Sequence, residues 1–236
     1  MTVATVLVPG MLCDAALWDG VRGDLGPDVV DVEITAGDIG GMAEQVLAAV
    51  PGPFRLVGLS LGAIVGFEVL RRAPDRVRGL CAISTNAGAP RPEQRQGWLD
   101  LARSTVDGQF DAVVRERIAP TMFADGKPEL IEAFMAMAHR VGPAVFLRQL
   151  AAQATRRDQH GELSRHHIPA LVLCGDRDAL CPPAFHERLA AALPAADLKV
   201  LPGAGHLLPW EADLGSLLRE HLDIDLTEET KQCPKS

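Results

Sequence analysis

A strand and helix alternation in the first third of the chain does most to limit what it can fold into. Val3 to Val8, Val29 to Ile34, Phe54 to Val57 and Val77 to Ile83 are short aliphatic or β-branched runs. Between them lie segments with helical spacing, Ala15 to Leu25, Met42 to Val50 and Leu61 to Arg72, the last stopped by Pro74. Strands that are apolar on both faces need cover on both faces. The rhythm therefore predicts an α/β fold, a mostly parallel, doubly wound sheet with right-handed crossovers.

Between residues 86 and 165 the rhythm disappears. Up to four amphipathic helical segments replace it: Phe110, Val113, Val114 and Ile118 share one helical face, as do Leu130, Ile131, Phe134 and Ala138. The alternation then resumes with a strand at Ala170 to Cys174, a helix through Phe185 to Leu193, a strand at Leu198 to Leu201 and a helix through Leu214 to Leu222. This divides the chain into a core over residues 1–85 and 166–224, a helical cap over 86–165, and a polar, frayed tail over 225–236 that includes Cys233. The amphipathic faces of the helical segment have no other sheet layer to cover, so it is expected to lie over the site and set substrate choice.

Composition narrows the chemistry. A hydrophobic fraction of 47% with 23% charged residues suits a soluble globular protein, and no stretch reads as long and apolar enough for a membrane partner. A formal charge of -8 disfavours nucleic acid, whose phosphates need clustered Lys and Arg. The start, MTVATVLVPG, reads as a strand and not a signal peptide, and the five cysteines contain no C-x-x-C pair, so reduced thiols in the cytoplasm are expected. There is no Tyr, which leaves Ser, Cys, His, Asp or Glu to do chemistry.

Gly58-Leu59-Ser60-Leu61-Gly62 matches G-x-S-x-G at the point where a strand ends and a helix begins. The glycines allow a strained turn that lifts the Ser60 hydroxyl clear of the sheet, and the Leu61 N–H points into the space beside it. The competing reading is an ordinary tight turn with a solvated serine. A serine hydroxyl needs a base. Among seven histidines, His206 follows the last strand in Leu201-Pro202-Gly203-Ala204-Gly205-His206, where small residues let a loop fold back over the sheet edge. His139, His160, His166, His167, His186 and His221 fall on helices or polar connections and read mostly as solvated. Cys174-Gly175-Asp176-Arg177-Asp178 offers two carboxylates to orient the imidazole, and Asp178 is the one chosen, because the segment Ala179 to Pro182 shields it from water.

VLVPGML, LVGLSLGAIVGFEVL, LVLCGDRDALCPP and LPGAGHLLPWEAD stand in the order found in the α/β-hydrolase superfamily, which the chain resembles over almost its whole length. Within it the chain looks like small capped serine hydrolases such as 3-oxoadipate enol-lactonases, carboxylesterases and the menaquinone-pathway lyase. The resemblance implies the triad Ser60, Asp178 and His206 and an oxyanion hole from the N–H groups of Met11 and Leu61. It departs at Pro9-Gly10, where relatives commonly have His-Gly, and at Ala63, where many have Gly. Epoxide hydrolases and haloalkane dehalogenases carry Asp at the elbow, so Ser60 argues against both.

The expected chemistry is hydrolysis of a small or medium ester, lactone or thioester through an acyl-enzyme, with a small molecule as partner and no metal or organic cofactor. Two alternatives stay open: a lyase, decarboxylase or cyclase using the same Ser–His pair, and a ligand receptor on a hydrolase scaffold. Trp98, Met122, Phe123 and Phe134 are the candidates for lining the substrate site, with Trp18, Met135 and Phe146 as further apolar possibilities. Core packing competes for each of them, and for Cys13 and Cys181 near the two loops.

Overall fold

The computed structural model describes residues 3–124 and 127–222. Six strands, β1 (Ala4–Val8), β2 (Val29–Asp31), β3 (Phe54–Leu59), β4 (Val77–Ile83), β5 (Ala170–Gly175) and β6 (Ala196–Leu201), form one sheet in the order β2-β1-β3-β4-β5-β6. Every pairing is parallel. The alternation of the pleat explains why both faces had to be apolar. Leu7, Val57, Leu59, Cys81, Ile83, Leu171 and Leu173 join one buried cluster. Their neighbours Val6, Val8, Leu56, Leu80, Ala82 and Val172 join the other.

The helices α1 (Ile39–Ala49), α2 (Leu61–Arg72) and α7 (Pro183–Ala192) supply the second cluster through Met42, Val46, Phe67, Val69 and Leu189. Helix α1 starts earlier than its apolar spacing suggests, because Asp38 caps it by accepting the Gly41 N–H at 2.8 Å. Over residues 15–25 the expected helix is not formed. Two 3₁₀ turns, Ala15–Trp18 and Arg22–Asp24, take its place. Gly20 and Gly23 weaken the helix there, and burial of Leu17 and Trp18 holds the turns against the core.

Between β4 and β5 the described residues contain helices and no strand: α3 (Pro92–Val106), α4 (Phe110–Ala112) running into a π-helical turn (Val113–Ile118), α5 (Pro128–Thr155) and α6 (His160–Leu163). Helix α5 is broken in its middle, where Gly142 takes φ 77° ahead of Pro143. A residue before proline is driven from helical geometry, and glycine alone takes this one at little cost. By length and composition α5 is apolar enough to cross a membrane, contrary to the sequence reading that no stretch is. Phe134, Met137, Ala138, Phe146 and Leu150 instead bury their side chains against the core. Two short C-terminal helices, α8 (Leu208–Glu211) and α9 (Gly215–His221), complete the element order. The tail over 225–236 and Cys233 lie outside the described residues.

Candidate active site

The loops that leave β1, β3, β5 and β6 meet at the C-terminal edge of the sheet, where open parallel sheets present their ligands. Ser60 sits between β3 and α2 with φ 53° and ψ −111°, a region side chains seldom adopt. The turn is held on three sides. Ser60 N–H donates to Ile83 O at 2.8 Å, and Ser60 O accepts from Thr85 Oγ1 at 2.9 Å and from Ile64 N–H at 3.2 Å. A Cβ at Gly58 would come within 2.6 Å of Ala63 N, and one at Gly62 would collide with Val8 O. Both glycines are therefore required by close approach of backbone. Ser60 forms no side-chain capping bond to α2, so its hydroxyl is not spent on the helix it precedes. Leu61 N–H is the first of that helix's donors, at the positive end of its dipole.

After β1 the chain turns through Gly10, where Cys13 N–H donates to Gly10 O at 3.2 Å, and Leu12 takes φ 62°. The buried amide of Gln149 on α5 holds this loop. Its Oε1 accepts Leu12 N–H at 3.0 Å and its Nε2 donates to Ile34 O at 3.3 Å. Gln149 was not read from the sequence, since a glutamine on an amphipathic helix signals nothing by its spacing.

The structure brings Asp178 and His206 together. His206 Nδ1 lies 2.9 and 3.0 Å from the two Asp178 carboxylate oxygens. Asp178 Oδ1 also accepts the N–H groups of Leu180 at 2.9 Å and Cys181 at 2.8 Å. Burial pushes the Asp178 carboxyl up, but the His206 charge, its hydrogen bond and the two backbone donors outweigh this and hold it below its ordinary value. With Nδ1 turned to the carboxylate, a proton held there leaves the Nε2 lone pair free. Asp176, by contrast, is exposed and accepts Gly203 N–H at 2.7 Å, bracing the turn that carries the histidine loop.

That histidine loop is stitched to the helical segment. The N–H groups of His206 and Leu207 both donate to Met122 O, at 3.0 and 2.9 Å. Glu211, whose side chain is fully buried, accepts Ala124 N–H at 3.0 Å and Gly205 N–H at 2.8 Å. A Cβ at Gly205 would stand 2.7 Å from Phe123 C, so the two backbones approach as closely as glycine permits. None of these ties is readable from residue spacing, because they join segments far apart in the chain.

Ser60, His206 and Met11 line one cavity of about 200 Å³. Trp98 and Met122 line it too. Phe123 and Phe134 are not on its wall. They pack edge to face at 6.4 Å in the core, and Phe123 stacks on Trp210 at 6.3 Å. Trp18, Met135 and Phe146 are likewise core residues. Cys13 and Cys181, for which packing was the favoured role, reach the cavity wall while staying buried.

One ligand atom each from Asp178, Cys181 and His206 lies within 4.8 Å of the others, a cluster a cation could in principle use. The carboxylate is already engaged by the imidazole and two N–H groups, and burial first, then Asp178, push the Cys181 thiol up to about 12. Those donors serve one another and do not fit a metal centre, which would need the thiolate. His186, one of six histidines of which most were expected to be solvated, is fully buried. Its Nε2 accepts Thr85 N–H at 2.8 Å, and burial lowers its pKa to about 4, so it is a neutral strut behind the elbow.

The family model described as the alpha/beta hydrolase family matches residues 6–215. The chain belongs to the alpha/beta hydrolase family. A pimeloyl-[acyl-carrier protein] methyl ester esterase of Chromobacterium violaceum is 27% identical over 194 residues, which cover 79% of this hydrolase and 76% of the relative. Among solved structures, a thermophilic esterase from Thermogutta terrifontis with malate bound aligns with a TM-score of 0.85 and 26% identity, covering 94% of this chain and 90% of that one. The enol-lactonase of Burkholderia xenovorans aligns with a TM-score of 0.80 over 95% of this chain and 93% of its own, and at 20% identity it speaks for the fold alone. Fold and relatives together make this chain a hydrolase enzyme.

Proposed function

We propose that this hydrolase cleaves small carboxylic esters through an acyl-enzyme on Ser60. The observation that carries the reading is the paired Asp178 carboxylate and His206 imidazole opening on the cavity that Ser60 lines. His206 Nε2 takes the hydroxyl proton as Ser60 Oγ attacks the ester carbonyl. The imidazolium that forms is stabilised by Asp178, whose carboxyl is held below its ordinary value. The N–H groups of Leu61 and Met11 receive the oxyanion, Leu61 with the dipole of α2 behind it. His206 then returns the proton to the departing alkoxide, and water attacks the acyl-enzyme by the same route, regenerating Ser60 and releasing the acid.

Ester cleavage is favoured within the wider class because the relatives named above include esterases. The cavity of about 200 Å³ is below the usual range of about 300–1,000 Å³ for ligand sites, which favours a small substrate. The helical segment from α3 to α6 serves as the cap, since Trp98 and Met122 come from it and its backbone holds the histidine loop. A fluorophosphonate probe followed by peptide mapping tests the assignment. The expected adduct is on Ser60 and is lost in Ser60→Ala, whereas labelling that survives that substitution overturns it.

A further inference from the structure

Arg156 follows the end of α5 and is only 7% exposed, a rare fate for an arginine that has no carboxylate partner among the described residues. Its Nη1 donates to Gln153 Oε1 at 3.1 Å, its guanidinium lies 5.4 Å from the centroid of the Trp98 ring, and its buried Nε has no hydrogen-bond partner. Gln153, Trp98 and Arg156 all line the cavity that holds Ser60 and His206. The guanidinium therefore sits on the cavity side of the cap, stacked and oriented, with donors left over.

On the wall of this cavity the charge is one-sided, although Arg156 also borders a neighbouring cleft that includes Asp38 and Glu68. The cavity wall includes a second arginine, Arg117, and no Asp or Glu, in a chain whose formal charge is -8. Burial lowers the Arg156 pKa from its ordinary value, with Cys181 opposing and Arg95 adding to the shift, and among the described residues no Asp or Glu forms an ion pair with it. A guanidinium stays charged in proteins, and an uncompensated buried charge is costly. Such a cost is relieved when an anion enters, and a planar fork of donors fits a carboxylate.

We infer that the substrate is an anionic ester, one that carries a free carboxylate apart from the bond Ser60 cleaves, and that Arg156, seated on Trp98 and Gln153, receives that carboxylate. This rests on the ester-hydrolase reading and names its substrate class. Arg156 is then a specificity residue: it touches the remote end of the substrate and leaves the proton transfers to Ser60 and His206. Gln153 positions the guanidinium, and Arg117, exposed at the cavity, adds longer-range attraction for the same charge.

The experiment compares monomethyl esters of short dicarboxylic acids with methyl esters of equal length that end in a methyl group. The expected kcat/KM favours the half-esters by about ten- to a hundredfold, the scale of a charged hydrogen-bonded pair. Arg156→Gln should collapse that ratio toward one, and turnover of the neutral ester by the same preparation reports that the variant is folded. If it does not fold, Arg156→Lys, which keeps the charge and loses the fork, should lower the ratio in the same direction. Equal or better turnover of neutral esters by the wild-type protein overturns the inference and leaves the ester-hydrolase reading standing. Calorimetry of half-esters on Ser60→Ala separates the two ideas. Saturable binding lost with Arg156→Gln in that background supports the anion site even if no ester is turned over, which would instead overturn the hydrolase reading. Absence of both turnover and binding overturns the inference.

Discussion

The core loops and the helical segment between β4 and β5 build the same cavity by different rules. In the core each chemical group lies a few residues past a strand end: Ser60 after β3, Asp178 after β5, His206 after β6. In the helical segment the wall is drawn from Trp98 on α3, Met122 in a turn, Gln153 on α5 and Arg156 just beyond it, with no common spacing. A strand end delivers a side chain to a place set by the sheet, so a short motif is enough to announce it. A helix delivers one face, and which part of that face meets the cavity depends on how the helices pack.

The sharpest way to break this contrast lies within one core loop. Asp178→Asn should lower kcat by on the order of 10⁴ in folded protein, by analogy with the tautomer effect in serine proteases. Asp176→Asn removes only an exposed acceptor for Gly203 N–H and should cost less than about tenfold. Steady-state rates on both purified variants decide, and the reverse ranking would mean that burial does not select the working carboxylate.

A second test concerns the junction where the core hands over to the helical segment. His186 supports Thr85 N–H and has its pKa lowered to about 4 by burial, against 6.5 in the unfolded chain. Below pH 6.5 the unfolded chain takes up a proton that the folded state resists. The stability is fully present above pH 6.5 and is lost as the pH falls toward 4, by on the order of 2–3 kcal/mol from this group. Urea midpoints at pH 7 and pH 5 should show the fall, and His186→Gln should flatten it. An unchanged slope in that variant would move the effect to another group.

Three substitutions probe the reach of the helical segment into the core. Gln149→Leu leaves Leu12 N–H without its acceptor and should loosen the loop that carries Met11, lowering kcat by about ten- to a hundredfold with little change in KM. A rise in KM alone would show that Gln149 serves binding. Trp98→Leu and Met122→Ala should move the ratio of rates between short and longer acyl chains by roughly threefold to tenfold, the worth of a methylene or two in an apolar pocket. A uniform loss of stability with no change in that ratio would return both residues to the core.

The sequence by itself determined the sheet, the elbow and the chain order of Ser60, Asp178 and His206. Apolar alternation, a strand-to-helix turn flanked by glycines and a carboxylate past a strand end are local demands, met by residues near one another in the chain. Tertiary structure alone decided the rest. Phe123 and Phe134 resemble Trp98 and Met122 in character, yet packing turned the first pair into the core and the second toward the cavity. His186 had nothing in its spacing to set it apart from the other helix histidines, yet it is buried as a strut that accepts the Thr85 N–H from a distant element. Arg156 sits in the polar run Thr155-Arg156-Arg157-Asp158, where a charge is ordinarily solvated. Gln153, one helical turn earlier, offers it an acceptor, but the Trp98 ring beneath its guanidinium comes from a different helix, and no local spacing encodes that approach.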